Sequence, residues 1–363
     1  MVVVTDISDK IRAIRSERYA MQSVARKALP NERVSKCLRL VNNKSQVEVW
    51  KHLKTEKAFY NGLLVCGSVW ICPICAAKIS ERRKLELGQA FDIYKAEKGH
   101  MAFLTLTFSH TKFDSLKEIL DKFTQASKRF KSGKAYQTIK KLMGIEGTVK
   151  GLEVTYSDNN GFHPHSHEVI FYKNQCELEV IKKRLWLMWE NACNKLGLKV
   201  SEQYGLTLQS GEDANDYLSK FGTGNWTLEQ EMTKAHIKKG KNEKSLTPFD
   251  FLKWYLMTED NKYLKLFQEY AAVFKGKRQL VWSKGLKAKF LIEEKSDEVL
   301  AKEKLEDADL LGLLTYDEWK FILKNDARAK FLDTVEKFGF EFAVKFILEK
   351  EKESSLREDS QTN

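Results

Sequence analysis

Neither a secretory signal nor a membrane span is expected of this sequence. Its opening residues, Met1 to Asp6, run straight into a charged amphipathic segment instead of the apolar centre of a secretory signal. One segment without charge, AFYNGLLVCGSVWICPICAA at 58–77, does reach the roughly 20 residues of a membrane span. Asn61, Gly62, Gly67, Ser68 and Pro73 interrupt it, and its three cysteines have metal-ligand spacing, so a span is not expected. Internal repeats are missing as well, which excludes a repeat array.

Acidic residues are the scarcer charge. Sixty-two Lys and Arg stand against 50 Asp and Glu, a net charge of +12. An excess of that size favours polyanionic partners, because each phosphate met by a Lys or Arg releases counterions. The cations are unevenly placed. Residues 10–39 hold nine Lys or Arg against two Glu. Residues 128–150 hold Lys128, Arg129, Lys131, Lys134, Lys140, Lys141 and Lys150 against the single Glu146. Either run, taken alone, also reads as a solvated helix face. With 42% hydrophobic residues the chain is too apolar for general disorder, and 363 residues leave room for two or three cooperating domains. A cytoplasmic location is expected, with the six cysteines reduced unless a metal holds them.

Periodicity orders the rest. Residues 9–29 have a helical pattern, 46–66 read as strand-rich, and 79–98 as a charged amphipathic helix. MAFLTLTF at 101–108 is a short β-branched apolar run, hence a buried strand, followed by helices at 115–130 and 134–143. VKGLEVTYS at 149–157 and HSHEVIFY at 165–172 read as two strands made antiparallel by the DNNG turn at 158–161. A helix over 177–197, a strand over 200–209 and a helix starting near Glu212 and carrying Tyr217 come next. Helices at 227–240, 248–257 and 261–275 precede a strand and turn at 278–285. Beyond 296 the pattern is helical, ending in a polar tail from Glu351 to Asn363. This predicts an α+β fold with a largely antiparallel sheet. Three parts are expected: a basic N-terminal region with the cysteine cluster (1–98), a central domain (99–295), and a helical C-terminal extension with a disordered tail (296–363).

The densest chemistry is FHPHSHEVIF at 162–171. Residues two apart on a strand share a face, so His165 and His167 point together, and His163 joins them if the strand begins early. Two imidazoles on one face suit a divalent metal; two surface histidines of an edge strand would look the same in sequence. Mg²⁺ or Mn²⁺ would want a carboxylate, and Glu153, across the turn in the paired strand, is the candidate. It also fits a solvent-facing strand residue. In EDANDYLSKF at 212–221, Asp213 and Lys220 stand four residues before and three residues after Tyr217, on one helix face and within reach of one another. Tyrosine can be a covalent nucleophile, Lys220 can stabilise a phosphate, and Asp213 can orient or deprotonate an attacking group. An ordinary packed tyrosine has the same signature.

Cysteine usage points to a second metal. Cys66-x5-Cys72-Pro-Ile-Cys75 has the form of a zinc knuckle, with Cys37 the natural fourth ligand of a structural Zn²⁺. A redox dithiol would want a βαβ context that is not there.

FLTLTF at 103–108, HPHSH at 163–167 and Tyr217-Leu-Ser-Lys220 stand in the order of three motifs. In that order they resemble the HUH-endonuclease replication initiators, most of all those of rolling-circle plasmids. CGSVWICPICAAKI (66–79), LEVTY (152–156), LTPFDFL (246–252) and VWSKGLK (281–287) resemble the family too, and Cys37 has a matching place. The resemblance covers roughly residues 35–300. It implies a central antiparallel sheet of the HUH type in 99–295, with His165 and His167 as metal ligands and Tyr217 as nucleophile. Ser166 departs from the hydrophobic residue usual between the histidines. Phe221 replaces the second tyrosine of two-tyrosine members.

The implied reaction is nicking of one origin strand, leaving a 5′-phosphotyrosyl link and a 3′-OH primer, followed by rejoining. Asp213 takes the place of a carboxylate that activates a terminating water. The implied partners are single-stranded and duplex origin DNA, a host helicase and a polymerase. A relaxase or transposase shares this chemistry, but relaxases carry the tyrosine ahead of the histidines and such transposases are shorter. A non-catalytic zinc-dependent DNA-binding regulator explains the charge and the cysteines only.

Overall fold

The computed structural model describes residues 7–42, 46–211, 245–302, 307–346 and 349. They divide into two compact units. The first comprises Met1–Ala76, Tyr255–Glu259 and Asp297–Asn363, and the second Ala77–Trp254 and Asp260–Ser296. The described strands are β1 (Val47–His52), β2 (Ala58–Asn61), β3 (His100–Leu106), β4 (Ile145–Ser157), β5 (Gly161–Tyr172), β6 (Leu206–Ser210), β7 (Leu280–Trp282) and β8 (Ala308–Leu314). No described helix is long and apolar enough to cross a membrane.

The second unit is built on a five-stranded sheet in the order β6-β3-β5-β4-β7, with every neighbouring pair antiparallel. Its longest ladder is the β4–β5 hairpin, which the DNNG turn predicts. Gly161 closes that turn at φ 76°, and a Cβ there would lie 2.9 Å from the Lys112 Cα. Any other residue would therefore be both strained and crowded. The hairpin register follows from that turn, and it decides which side chains share a face.

Period-two alternation gives the sheet two different faces. On one, Phe103, Val149, Val169 and Phe171 pack against Leu87, Ala90, Phe91 and Tyr94 of the helix Pro73–Ala96, and against Leu286 and Phe290. Phe171 and Phe290 are fully buried, each contributing about 1.5–3 kcal/mol by leaving water. On the other face, Lys131 of the helix Leu116–Ser132 bonds the buried carboxylate of Glu168. Trp189 of the helix Leu178–Asn194 meets Phe123 and Phe130 edge-on there, at 5.7 and 5.8 Å.

The first unit holds a three-stranded sheet in the order β2-β1-β8. The helical pattern expected beyond residue 296 is interrupted by β8, which pairs antiparallel with β1 along its whole length. Helix does follow it, as Tyr316–Lys324 and Arg328–Phe338. The latter packs beside the helix Ile7–Ala28, where Arg15 bonds Asp333 at 2.7 Å and also Glu336, whose carboxylate accepts the Ala58 amide at 2.7 Å. The first and last parts of the chain therefore share one core, which local periodicity cannot reveal.

Candidate metal centres

On the β4–β5 ladder Glu153 stands directly opposite His165, and His167 follows two residues along the same face. Glu153 Oε2 lies 3.3 Å from His165 Nε2 and 3.2 Å from His167 Nε2. All three side chains are largely shielded, at 4%, 12% and 9% exposure. One ligand atom from each falls within 4.8 Å of the others. The flanking partners fix how the rings point. His165 Nδ1 is 3.2 Å from the His163 carbonyl, an oxygen that can only accept. Nδ1 therefore carries the proton and Nε2 offers its lone pair. His167 Nδ1 is 3.0 Å from Thr105 Oγ1, and its ring stacks on Phe103 at 5.3 Å with 6° between planes.

A lone pair facing a carboxylate oxygen is repulsive unless a proton or a cation lies between them. Two imidazole nitrogens and one carboxylate oxygen make a donor set that suits a small divalent cation, with room left for further oxygens.

His163 is directed elsewhere. Its Nε2 meets Thr107 Oγ1 at 2.9 Å and its Nδ1 meets His110 Nε2 at 2.6 Å. His110 Nδ1 in turn reaches the Asn160 carbonyl at 2.9 Å. Burial, helped by the neighbouring His165 and His110, pushes the His163 pKa down to about 3, and burial lowers His110 as well, so both are neutral. The structure thus brings Glu153, His165 and His167 together without His163. Asp213, Tyr217 and Lys220 lie outside the described residues.

In the first unit, Cys37, Cys66, Cys72 and Cys75 are buried with sulfurs converging. Cys37 and Cys66 each lie 3.6 Å from Cys75, and Cys72 lies 3.8 Å from Cys37. A tetrahedron with metal–sulfur bonds of about 2.3 Å has edges of about 3.8 Å, so the spacing fits a four-thiolate zinc site. Shared hydrogen bonds and burial drive the Cys66 thiol up. Burial also opposes ionisation of Cys72, but hydrogen bonds from the other three outweigh it and bring that thiol down. Gln22 donates to Cys72 Sγ at 3.4 Å and is itself held by Arg328 at 2.7 Å. Four residues that sequence reasoning missed therefore bear on the two sites: Thr105, Thr107, Gln22 and Arg328. Alternation in FLTLTF puts the two threonines on one face, but only the pairing of β3 with β5 sets them beside the histidines. Nothing local marks Gln22 or Arg328.

The Replication protein family matches residues 64–327, most of the chain. The chain belongs to that family. Among curated proteins it is similar to "Protein rep" of Streptomyces lividans, 24% identical over 291 residues, covering 62% of this chain and 63% of that protein. It is also similar to a "Neomycin resistance protein" of Streptomyces cyanogenus, 26% identical over 148 residues, or 34% of each chain. The chain thus spans about three fifths of the first relative and a third of the second. No solved structure matches.

Proposed function

We propose that this chain is a rolling-circle replication initiator of the HUH type, which nicks one strand of origin DNA through Tyr217. The observation that carries this reading is the convergence of Glu153, His165 and His167 on one sheet face in a Replication protein family member. These three residues would hold a divalent cation, Mg²⁺ or Mn²⁺. Bound there, the cation would polarise a non-bridging oxygen of the scissile phosphate.

Tyr217 attacks the phosphorus. Its oxygen forms the new P–O bond while the bond to the 3′ oxygen breaks, and the 3′-OH leaves with a proton. Lys220 offsets phosphate charge, and Asp213 activates the water that ends the round, since Phe221 cannot act as a second nucleophile. The phosphotyrosyl ester keeps the energy of the cleaved bond, so rejoining needs no ATP. The free 3′-OH is a primer for a host polymerase, working with a host helicase.

Duplex and single-stranded DNA would be met by the exposed cations of the helices Leu116–Ser132 and Lys134–Met143. Lys117 and Lys122 are neutralised by Asp121 and Glu118. By contrast Lys128, Arg129, Lys134, Lys140 and Lys141 are exposed and pair with no carboxylate among the described residues. Zinc at the four cysteines would be structural.

The test is incubation with Mn²⁺ and a panel of single-stranded origin-like oligonucleotides, wild type beside Tyr217→Phe. A denaturation-resistant covalent adduct formed by wild type alone is expected. Tight DNA binding without an adduct on any substrate would instead indicate a zinc-dependent DNA-binding regulator.

A further inference from the structure

The FLTLTF segment of β3 has no role in the mechanism above, yet both of its threonines reach a histidine of HPHSH. Thr105 is the ladder partner of His167, and its Oγ1 lies 3.0 Å from His167 Nδ1. Thr107, one residue past the end of β3, meets His163 at 2.9 Å. These two contacts differ in kind, and the hydrogen-bond directions say how.

The Thr107 contact belongs to a closed chain with one polarity. The Asn160 carbonyl can only accept, so His110 Nδ1 donates to it and His110 Nε2 must accept. His163 Nδ1 therefore donates to His110, and His163 Nε2 accepts the Thr107 hydroxyl. Both His163 nitrogens are committed; the residue meets the triad through its backbone carbonyl, which presets His165, and through its ring, which stacks on His165 at 5.3 Å.

His167 Nδ1 instead faces Thr105 Oγ1. Its partner is a hydroxyl, which can donate or accept by rotating about one bond. With no cation present, a proton on His167 Nε2 can bond Glu153 Oε2 across 3.2 Å while Thr105 donates to Nδ1. With a cation at Nε2, the ring proton must sit on Nδ1 and Thr105 must accept it.

We propose that Thr105 is a positioning residue of the catalytic metal centre, whose rotating hydroxyl serves both tautomers of His167, whereas His165 is held in one tautomer by the His163 carbonyl. This rests on the reading of Glu153, His165 and His167 as that centre. Outer-layer partners of ligating histidines are worth about ten- to a hundredfold in metal affinity.

The test uses the full chain and Mn²⁺ alone, with free Mn²⁺ counted by electron paramagnetic resonance. Thr105→Val, which keeps the shape and removes the hydroxyl, should weaken Mn²⁺ binding about ten- to a hundredfold. Thr105→Ser restores the hydroxyl and should bind within about threefold of wild type, and Thr107→Val should do so too, since it touches only the closed chain. Long-range proton–nitrogen spectra of wild type with and without Mg²⁺ supply a readout free of any substitution. They should show the His167 ring proton moving from Nε2 to Nδ1 while His165 keeps its proton on Nδ1.

Equal Mn²⁺ affinity of Thr105→Val and wild type overturns the role of Thr105 and leaves the centre standing, whereas a His167 proton that stays on Nε2 in saturating Mg²⁺ shows that His167 is not a ligand there and overturns both. Equal Mn²⁺ affinity of wild type and the double variant His165→Ala, His167→Ala overturns the centre itself, and the proposal with it.

Discussion

Replacing Arg328 with methionine should destabilise the first unit well beyond a surface change. The guanidinium is 1% exposed. It donates to Gln22 Oε1 at 2.7 Å and to the Leu38 carbonyl at 3.2 Å, and lies 4.8 Å from the centre of the Tyr19 ring. Methionine keeps most of the stem's packing, so the loss is mainly polar. Each buried acceptor deprived of this donor costs about 1–3 kcal/mol, giving roughly 2–6 kcal/mol for the pair. For a unit of this size that is a fall in melting temperature of about 4–24 °C.

Gln22 also donates to Cys72, so the variant should release zinc to a chelator faster than wild type. Calorimetry of the zinc-loaded protein, with zinc release followed by a chromogenic chelator, measures both. A first-unit transition within about 2 °C of wild type, with unchanged zinc release, would refute the argument that Arg328 organises this core.

Burial lowers Lys150 to about 8 from the ordinary 10.5, with Glu168 opposing and Lys131 reinforcing the shift. Between those values the unfolded chain binds more protons than the folded one, so stability should rise as pH climbs from about 8 to 10.5, by up to about 1.4 kcal/mol per pH unit. Below about 8 this contribution is constant. Lys150→Met should abolish the rise in urea denaturation series, and an unchanged pH profile in that variant would contradict the assignment. Changing Lys128, Arg129, Lys134, Lys140 and Lys141 to glutamine should flatten the dependence of log affinity for duplex DNA on log salt, by about 0.9 for each phosphate left without its cation. An unchanged slope in filter binding would place the DNA elsewhere.

The convergence of Glu153, His165 and His167 was legible in the sequence because all of its determinants are local. Alternation put His165 and His167 on one face, and the turn placed Glu153 opposite. His163 has the same parity, and parity alone cannot show that its ring turns towards Thr107 and His110. Thr105 becomes readable only once β3 is paired with β5, a contact across 62 residues. The β1–β8 pairing was beyond reach for the same reason on a larger scale: ADLLGLL at 308–314 is short and apolar, and nothing near it names a partner some 260 residues earlier. Zinc-ligand spacing was clear for Cys66, Cys72 and Cys75, while the Gln22–Arg328 pair joins two otherwise unremarkable positions across 306 residues.

The place of β8 in the chain has a consequence for biosynthesis. Every described strand of the sheet that carries Glu153, His165 and His167 lies before residue 283, whereas the sheet in the same unit as the four cysteines is completed by residues 308–314. On the ribosome, the four cysteines emerge by residue 75 and then wait for more than 230 residues until the strand and helix that close their unit arrive. Closing so long a loop adds entropy only logarithmically, yet it makes this core the late and slow one to form. Until it does, the thiols are open to oxidation or to a competing metal, and a premature stop anywhere before β8 would leave them so.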